Sequence, residues 1–235
     1  METYAITRRG LKRGENQDRF WVRKFDDRSL LMAVADGMGG EAGGGQAAQI
    51  AIEAIKYFNP DCPAIGPYFK KLFRAASKRI KEEAQKDSNL NGMGSTLTAS
   101  YIKTGVAHWA HVGDSRIYLF RKDTLTQITE DQTFVNTLWK EGSITAEEAV
   151  VHPMKNILLQ CVGCGPLKIT TGKFKVGTGD FVLLSTDGLY QQVEKDKMAF
   201  ILALKISIKE KFKRLIHAAL HGGGRDDITI AGVKI

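Results

Sequence analysis

The chain has 235 residues, with 43% hydrophobic and 26% charged side chains, which is the composition of a globular protein with enough apolar material for a core. No apolar run approaches the roughly 20 residues needed to span a bilayer, and the first residues lack the apolar region of a signal peptide. We therefore expect a cytoplasmic protein with no membrane partner.

The formal net charge is +8, from 34 Lys and Arg against 26 Asp and Glu, and this excess makes nucleic acid a candidate partner. The basic residues concentrate in two stretches, 70–86 and 205–214, where they are interleaved with apolar positions. Such interleaving is typical of the solvated face of a helix. We therefore expect no nucleic-acid partner, and a basic surface suits an acidic or phosphorylated protein equally well.

The cysteines are odd in number: Cys62, Cys161 and Cys164. The last two have CxxC spacing, but the chain has no second CxxC and no thioredoxin-like context. We therefore expect three reduced thiols, with neither a zinc site nor a redox role.

The chain begins with three short runs, 4–9, 19–24 and 30–35, that predict antiparallel strands rather than a strand–helix–strand unit. Helical spacing of apolar residues follows at 46–58 and 68–85. A block rich in strands then leads to two more helices and a last strand. In this part we predict strands at 94–102, 106–112, 116–121, 123–128, 158–162, 169–176, 181–186 and 228–233, and helices at 133–141, 194–204 and 208–220.

This order of elements predicts an α+β fold, with a central β-sandwich of two antiparallel sheets flanked by pairs of α-helices. The sequence has no Pro- or Ser-rich linker, no low-complexity tract and no clear repeat. We therefore predict one domain over residues 1–235 and expect it to be monomeric.

Acidic residues recur beside the apolar strands, next to a glycine or a turn: Asp18, Asp36, Asp187 and the pair Asp226-Asp227, while Asp131 opens a polar segment. Carboxylates gathered from distant strand ends repel one another unless a cation neutralises them. Oxygen ligands without a His or Cys cluster favour Mg²⁺ or Mn²⁺. Two such ions, roughly 3.5–4 Å apart, would activate a water for attack on phosphorus.

Two other interpretations apply to the turn after the strand 30–35. For an isolated Asp-Gly, an exposed turn residue is the simpler explanation of Asp36. The glycines at 37–42 also imitate the GxGxxA fingerprint of dinucleotide-binding enzymes. We reject that fingerprint because Asp36 would face the pyrophosphate with like charge and the flanking strands are predicted to be antiparallel.

Eight short segments follow one another along the chain: Arg13-Gly-Glu-Asn-Gln-Asp18, Val34-Ala-Asp-Gly-Met-Gly-Gly40, Gly94-Ser-Thr96, Gly113-Asp-Ser-Arg-Ile-Tyr118, Ile128-Thr-Glu-Asp131, His152-Pro153, Leu183-Leu-Ser-Thr-Asp-Gly-Leu189 and Asp226-Asp-Ile-Thr229. In this order they resemble the metal-dependent serine/threonine phosphatases of the PP2C (PPM) family, in their compact bacterial form. Each segment is weak alone, but together they span nearly the whole chain and are highly specific.

The resemblance implies hydrolysis of phosphoserine and phosphothreonine in proteins by a metal-activated water, without a covalent phosphoenzyme, in opposition to a bacterial Ser/Thr kinase. Asp36 would bridge two ions of Mn²⁺ or Mg²⁺, and the Gly37 carbonyl would bind one of them. Asp187 and Asp226 would complete the shell of the first ion.

The resemblance also assigns residues around these two ions. Arg13 would bind the substrate phosphate, which suits the fork of a guanidinium group. Asp18 would lie near the ions and act through water. Asp131 with Asp187 would form a third, weaker metal site, and the segment 132–152 would be a mobile flap beside the site.

Three positions depart from the family pattern. Gln17 stands where many members have Glu, and Asp227 replaces the usual Asn, so both changes bear on metal affinity. Met38 stands where some members carry a His proposed as general acid. Gln17 alone supports the alternative function, a catalytically weak module of the same fold that binds phosphoprotein.

Other polar residues are interpreted as structural. We expect Asp114 and Arg116 to fix a tight turn through an ion pair, and Asp180 to be a turn residue. His108 and His111 lie at i and i+3 of an apolar strand and point to opposite faces, which argues against a shared metal.

Overall fold

The computed structural model describes residues 1–39 and 43–235. The strands are β1 (Glu2–Arg8), β2 (Arg19–Asp26), β3 (Ser29–Ala35), β4 (Gly37–Met38), β5 (Gly94–Ser95), β6 (Leu97–Lys103), β7 (Val106–Val112), β8 (Arg116–Arg121), β9 (Thr124–Gln127), β10 (Thr170–Lys175), β11 (Phe181–Ser185) and β12 (Ile228–Lys234). The helices are α1 (Gly40–Lys56), α2 (Ile65–Ala84), α3 (Phe134–Lys140), α4 (Ala146–Val151), α5 (Asp187–Tyr190), α6 (Lys195–Ala203) and α7 (Ile208–His221).

Two large antiparallel sheets pack face to face, with strand orders β1-β12-β11-β8-β9 and β10-β7-β6-β3-β2. Strand β3 shows why its sequence is a continuous apolar run. Leu30, Met32 and Val34 contribute to the core between the sheets. The alternate residues, Leu31 and Ala33, pack in the cluster beneath α1 and α2. Because neighbouring side chains of a strand point to opposite faces, β3 is buried on both.

The outer helices complete a layered architecture of helices, sheet, sheet and helices. On one side, α1 and α2 cover the sheet that contains β3. On the other side, α6 and α7 place Met198, Phe212 and Leu215 in one cluster with Leu183 and Ile230 of the second sheet. The predicted α+β fold, a β-sandwich flanked by paired helices, is confirmed.

The predicted strand at 158–162 is wrong. Leu158 and Val162 each form only an isolated bridge, with Thr133 and Ser95 respectively. Leu159 between them is 48% exposed. The segment therefore makes sheet contacts only at its two ends, and its apolar residues serve as separate anchors for a loop.

The expectation of three reduced thiols is wrong for one pair. Cys161 and Cys164 form a disulfide, and Cys62 is free. Their Cα atoms are 5.4 Å apart, which lies within the range that a disulfide needs. Within the part of the chain that the structure describes, no helix combines the length and the apolar character needed to cross a bilayer.

Candidate metal and phosphate site

The sheet registers bring distant acidic residues to one end of the sandwich. Arg19 of β2 pairs with Ala35 of β3, so Asp18 and Asp36 adjoin each other just beyond the paired strands. In the other sheet, the Thr186 amide donates to the Thr229 carbonyl after β11 and β12 pair. This register brings Asp187 beside the residues that precede β12.

One hydroxyl connects the two halves of the site. Thr186 Oγ1 donates to Asp18 Oδ2 at 2.8 Å, and the Thr229 amide donates to the same hydroxyl at 3.0 Å. These hydrogen bonds therefore hold Asp18, which precedes β2 of one sheet, against Thr186 at the end of β11 in the other sheet.

Asp36 is fixed through its backbone. Its amide donates to Thr96 Oγ1 at 2.9 Å, and its carbonyl accepts from the Thr96 amide and from Ser95 Oγ, each at 2.9 Å. The next residue must be glycine, because a Cβ on Gly37 would lie 2.0 Å from the Gly44 carbonyl oxygen. The backbone of β4 is thus held close to the start of α1, which leaves the Asp36 carboxylate at the edge of a cleft.

Burial and mutual repulsion dominate the electrostatics of this cluster. Burial, and then the neighbouring charges of Asp18 and Asp187, raise the pKa of Asp36 well above its ordinary value. The pKa of Asp187 is raised well above its ordinary value by burial and then by Asp114, Asp226 and Asp18. Burial raises the pKa of Asp18 to about 7, against the hydrogen bonds of Thr229 and Thr186.

The donor chemistry of the cluster fits a hard divalent cation. Among the described residues, Asp18 Oδ1 and Asp187 Oδ1 are buried oxygens that find no hydrogen-bond partner. Such atoms are costly unless a cation or a donor satisfies them. Among the described residues, no three side chains of His, Cys, Asp or Glu already lie close enough together to form a ligand shell. Binding an ion would therefore draw these carboxylates together.

A basic side chain completes the cleft, whose volume is about 710 Å³. Arg13 Nη2 donates to Asp226 Oδ2, and its guanidinium side chain is 46% exposed. Met38 and Gly37 line the same cleft. The cleft thus presents the exposed basic side chains of Arg13 and Lys12 beside the buried carboxylates.

Asp227 supports the loop that carries Arg13. Its Oδ1 accepts from the Gly10 amide at 2.9 Å, and its Oδ2 accepts from the Gln17 amide at 2.8 Å. Both carboxylate oxygens are therefore engaged by the backbone at the two ends of residues 10–17. The Asp that replaces the family's Asn serves here as a brace.

The structure does not bring Asp131 into the cluster. Arg116 holds Asp131 through Nε at 2.9 Å and Nη2 at 2.6 Å, and Gln127 Nε2 donates to it at 2.9 Å. The guanidinium carbon of Arg116 also lies 3.4 Å from the ring centroid of Tyr190. Arg116 therefore pairs with Asp131 instead of forming the expected ion pair with Asp114.

Asp114 lies beside Asp187, in the position that the family resemblance assigned to Asp131. It lines the cleft with Asp36 and Asp187, and it is the first charged neighbour that raises the pKa of Asp187. Burial raises the pKa of Asp114 itself to about 6, with Asp131 the next cause. Sequence reasoning missed this residue although the signal was present, because Asp114 also follows the end of an apolar strand, β7.

A second pocket, of about 630 Å³, adjoins the cleft at Asp114 and Asn156. It is lined by Asp131 and by residues of the segment 132–152, including the half-exposed Trp139 of α3. The segment predicted as a flap therefore forms one wall of a groove that opens beside the acidic cluster.

His111 belongs to the fold and not to the cluster. Its Nε2 lies 3.1 Å from the Glu130 carbonyl oxygen, which can only accept, so this nitrogen carries the proton. Its Nδ1 lies 2.8 Å from Thr98 Oγ1 and accepts from that hydroxyl. Burial lowers the pKa of His111 to about 4, so the ring is neutral at physiological pH.

Comparison with known proteins identifies the class. The model of the family described as protein phosphatase 2C matches residues 9–221, and the chain belongs to this family. It is 38% identical over 229 residues to the serine/threonine protein phosphatase PstP of Mycobacterium tuberculosis, covering 96% of this chain and 43% of that protein. It is 36% identical over 235 residues to the serine/threonine phosphatase Stp of Listeria welshimeri, covering 97% and 93%.

Solved structures agree with this assignment. The S. agalactiae serine/threonine phosphatase superposes with a TM-score of 0.91 at 31% identity, covering 100% of this chain and 99% of that one. The catalytic domain of PstP in complex with two manganese ions gives a TM-score of 0.87 at 35% identity, covering 98% and 96%. The chain spans less than half the length of full PstP and nearly the whole of the Listeria enzyme.

Proposed function

We propose that this protein is a metal-dependent phosphatase that hydrolyses phosphoserine and phosphothreonine in proteins. The observation that carries the proposal is the cluster of buried carboxylates, two with unsatisfied oxygens, that shares one cleft with Arg13. The relatives support it, because PstP and Stp are named serine/threonine phosphatases.

The carboxylates would hold two ions of Mn²⁺ or Mg²⁺. Asp36 and Gly37 lie at the end of β3, and Asp187 and Asp226 line the same cleft. Asp18 is buried and would act on the ions through water. When bound, the ions supply Lewis acidity that favours attack of a water on phosphorus, with no covalent phosphoenzyme. The two-manganese structure of the PstP catalytic domain supports this stoichiometry.

A third, weaker ion would bind between Asp114 and Asp187. The sequence assigned this role to Asp131, but the Asp131 carboxylate is already neutralised by Arg116. Asp114 Oδ2 accepts from the Tyr190 hydroxyl at 3.2 Å, and Asp114 raises the pKa of Asp187. Among the described residues, it forms no ion pair with a guanidinium group. We therefore assign the third site to Asp114.

Arg13 would bind the phosphate. Its guanidinium group is half exposed at the mouth of the cleft and pairs with Asp226. The fork geometry of guanidinium suits two phosphate oxygens. The contact with Asp226 holds Arg13 at the mouth before substrate arrives, and the brace from Asp227 keeps its loop in place.

The serine or threonine oxygen that leaves the phosphorus needs a proton, and the thioether side chain of Met38 cannot donate one. Its side chain is 37% exposed at the cleft, so water can reach the position that a histidine holds in some members of the family. We therefore propose solvent water as the proton source for the serine or threonine leaving group.

The substrates would be phosphoproteins made by a bacterial Ser/Thr kinase, and the protein would act as a cytoplasmic monomer. The groove between the cleft and the segment 132–152 would receive the polypeptide that flanks the phosphorylated residue. Its wall combines the apolar side chains of Trp139 and Val150 with charged ones of both signs, among them Lys155 and the ion pair of Lys140 with Glu130.

The test is hydrolysis of a phosphothreonine peptide with added Mn²⁺. We expect Asp36→Asn to lose at least about 100-fold in rate, because the proposed bridging ligand is weakened. The matched control is Asp196→Asn, an exposed carboxylate in the first turn of α6, which should keep full activity. Unchanged hydrolysis by Asp36→Asn would contradict the proposal.

A further inference from the structure

The disulfide turn, defined as residues Cys161–Cys164, lies one strand pair away from Asp36. Val162 exchanges two backbone hydrogen bonds with Ser95, at 2.9 and 2.8 Å. Ser95 belongs to β5, which pairs with β4 through Gly37. Ser95 Oγ also donates to the Asp36 carbonyl at 2.9 Å. A short chain of hydrogen bonds therefore connects the disulfide turn to the backbone of the metal site.

The disulfide turn has no spare room on the side of β5. A Cβ on Gly94 would lie 2.8 Å from Cys164 Sγ and 2.9 Å from Cys161 Sγ, so both sulfur atoms rest directly on this glycine. On the other side, the Gly163 amide donates to Ser77 Oγ of α2 at 3.1 Å. The disulfide turn thus contacts both α2 and the strand that supports Asp36.

The two sulfur atoms differ in access. Cys161 is 5% exposed, whereas Cys164 is half-buried at the surface beside the exposed residues 165 and 166. A reagent from solvent would therefore reach Cys164 first. Cys62, the free cysteine, lies in the loop between α1 and α2 and is itself half-buried.

We propose that Cys161 and Cys164 are a redox-modification site that reacts with a dithiol, and that reduction weakens the support of Asp36 and Gly37. The inference rests on the proposed function only in its reading of those two residues as metal ligands. It concerns the regulation of that same site.

The dithiol reduces the Cys161–Cys164 disulfide in two successive thiol–disulfide exchanges. A thiolate of the dithiol attacks Cys164 Sγ, the Cys161–Cys164 bond breaks, and Cys161 leaves as a thiolate that takes up the proton of the attacking thiol. The second thiol then attacks the dithiol's own sulfur in the mixed disulfide, and Cys164 leaves and is protonated. Two electrons pass to the protein, and the dithiol becomes a cyclic disulfide.

Reduction removes the covalent link that closes the disulfide turn, so the backbone between the two cysteines gains conformational freedom. Both sulfur atoms rest on Gly94, and Val162 pairs with Ser95, so this freedom acts directly on β5. A looser β5 weakens the hydrogen bonds of Ser95, including the one to the Asp36 carbonyl. We expect the Kd for Mn²⁺ to rise about three- to tenfold, the effect of weakening one hydrogen bond behind a ligand.

The experiment compares the oxidised full chain with the same protein reduced by a phosphine, which does not compete for the metal as a dithiol would. Thiols are counted by alkylation and mass, and Mn²⁺ alone is titrated calorimetrically. Reduction should add two alkylated cysteines to Cys62 and raise the Kd. The variant Cys62→Ser should respond in the same way, and Cys161→Ser combined with Cys164→Ser should not respond to reductant.

Two results would overturn the inference. One is an equal Kd for Mn²⁺ in two states whose thiol counts differ by two. The other is complete alkylation of Cys161 and Cys164 after incubation with oxidised glutathione. Because the comparison uses the wild-type chain in two states, it does not depend on the folding of any variant. Absence of Mn²⁺ binding in both states would contradict the proposed function itself, and the coupling with it.

Discussion

The two ends of β11 carry two buried aspartates with opposite environments. Asp180, just before the strand, is 5% exposed and accepts from Arg121 Nε at 3.0 Å, from Arg121 Nη2 at 2.7 Å and from the Gly177 amide at 2.7 Å. These hydrogen bonds, led by that of Arg121, lower its pKa. Asp180 is a satisfied turn residue, as its sequence context predicts.

Asp187, just after the strand, is buried to a similar degree, at 9% exposure. Its Oδ2 accepts from Gln191 Nε2 at 2.6 Å, but within the described chain its Oδ1 has no partner. Burial, and then the charges of the neighbouring carboxylates, raise its pKa. Burial is therefore common to both residues, and the difference lies in what compensates the charge. For these two residues, the uncompensated carboxylate of Asp187 indicates a missing cation, and the compensated one of Asp180 indicates a structural role.

The largest expected difference between Asp187 and Asp180 is in the effect of their substitution on activity. We expect Asp187→Asn to lower kcat/KM on a phosphothreonine peptide by at least about 100-fold, because it removes a proposed metal ligand. Asp180→Asn is the matched control at the other end of the same strand and should stay within about threefold of wild type at a temperature where it is folded. Equal losses in both variants would contradict the account.

The pH dependence of stability should also separate the two environments. In chelator, the folded protein keeps protons on Asp18, Asp36 and Asp187 that the unfolded chain releases near pH 4, because their pKa values are raised. The unfolded state then binds fewer protons, so the free energy of unfolding falls between about pH 4 and 7. The slope is up to about 1.4 kcal/mol per pH unit for each carboxylate.

Urea unfolding at a series of pH values measures this slope. Asp180, whose pKa is lowered, contributes the opposite sign: its stabilisation is present above its ordinary pKa and is lost as the pH falls through its lowered value. Saturating Mn²⁺ should remove the decline between pH 4 and 7. A metal-free stability that rises steadily through this window would contradict the proposed repulsion.

Asp114 and Asp131 extend the comparison to the third ion. Asp131→Asn leaves the mostly buried Arg116 without its carboxylate partner and should destabilise the fold by about 2 kcal/mol. Asp114→Asn removes a repulsive charge and should preserve stability while weakening the lowest-affinity Mn²⁺ event. Thermal unfolding and calorimetry measure the two effects. Loss of that event in Asp131→Asn alone would restore the assignment made from the sequence.

The smallest expected effect is on the free energy of unfolding of the metal-free protein. Asp187→Asn should stabilise the metal-free protein at pH 7 by about 1 kcal/mol, since the amide needs no proton to stay neutral among the neighbouring carboxylates. Asp180→Asn should destabilise it by about 1–2 kcal/mol, a value reduced by the exposure of Arg121 to solvent. Chemical denaturation in the presence of a chelator measures both changes in the free energy of unfolding. A change of the same sign in both variants would contradict the difference between the two ends of β11.

Much of this architecture could be predicted from the sequence because its signals are local. The apolar run of β3 and the helical spacing of α2 and α7 define elements that the core then buries. The strand-end position of Asp36 and Asp187, beside glycines, was enough to identify them as candidates. Gly37 also has a local reason, the close approach of the Gly44 carbonyl.

The rest depends on partners that are distant in sequence. Asp114 and Asp131 have similar local settings, and only the side-chain position of Arg116 decides which one is neutralised. The brace that Asp227 forms with residues 10 and 17 spans more than 200 positions. The loop at 158–162 has the composition of a strand, but its backbone pairs only at its ends. These outcomes follow from tertiary contacts that no local pattern encodes.

Calorimetric titration of Mn²⁺ into the full chain at pH 7 tests the central claim most directly. We expect two binding events of higher affinity and a weaker third. The events at the first and the third ion should be lost or strongly weakened in Asp187→Asn, and all three should be retained in Asp180→Asn. Absence of any binding up to millimolar Mn²⁺, or identical titrations for the two variants, would contradict it.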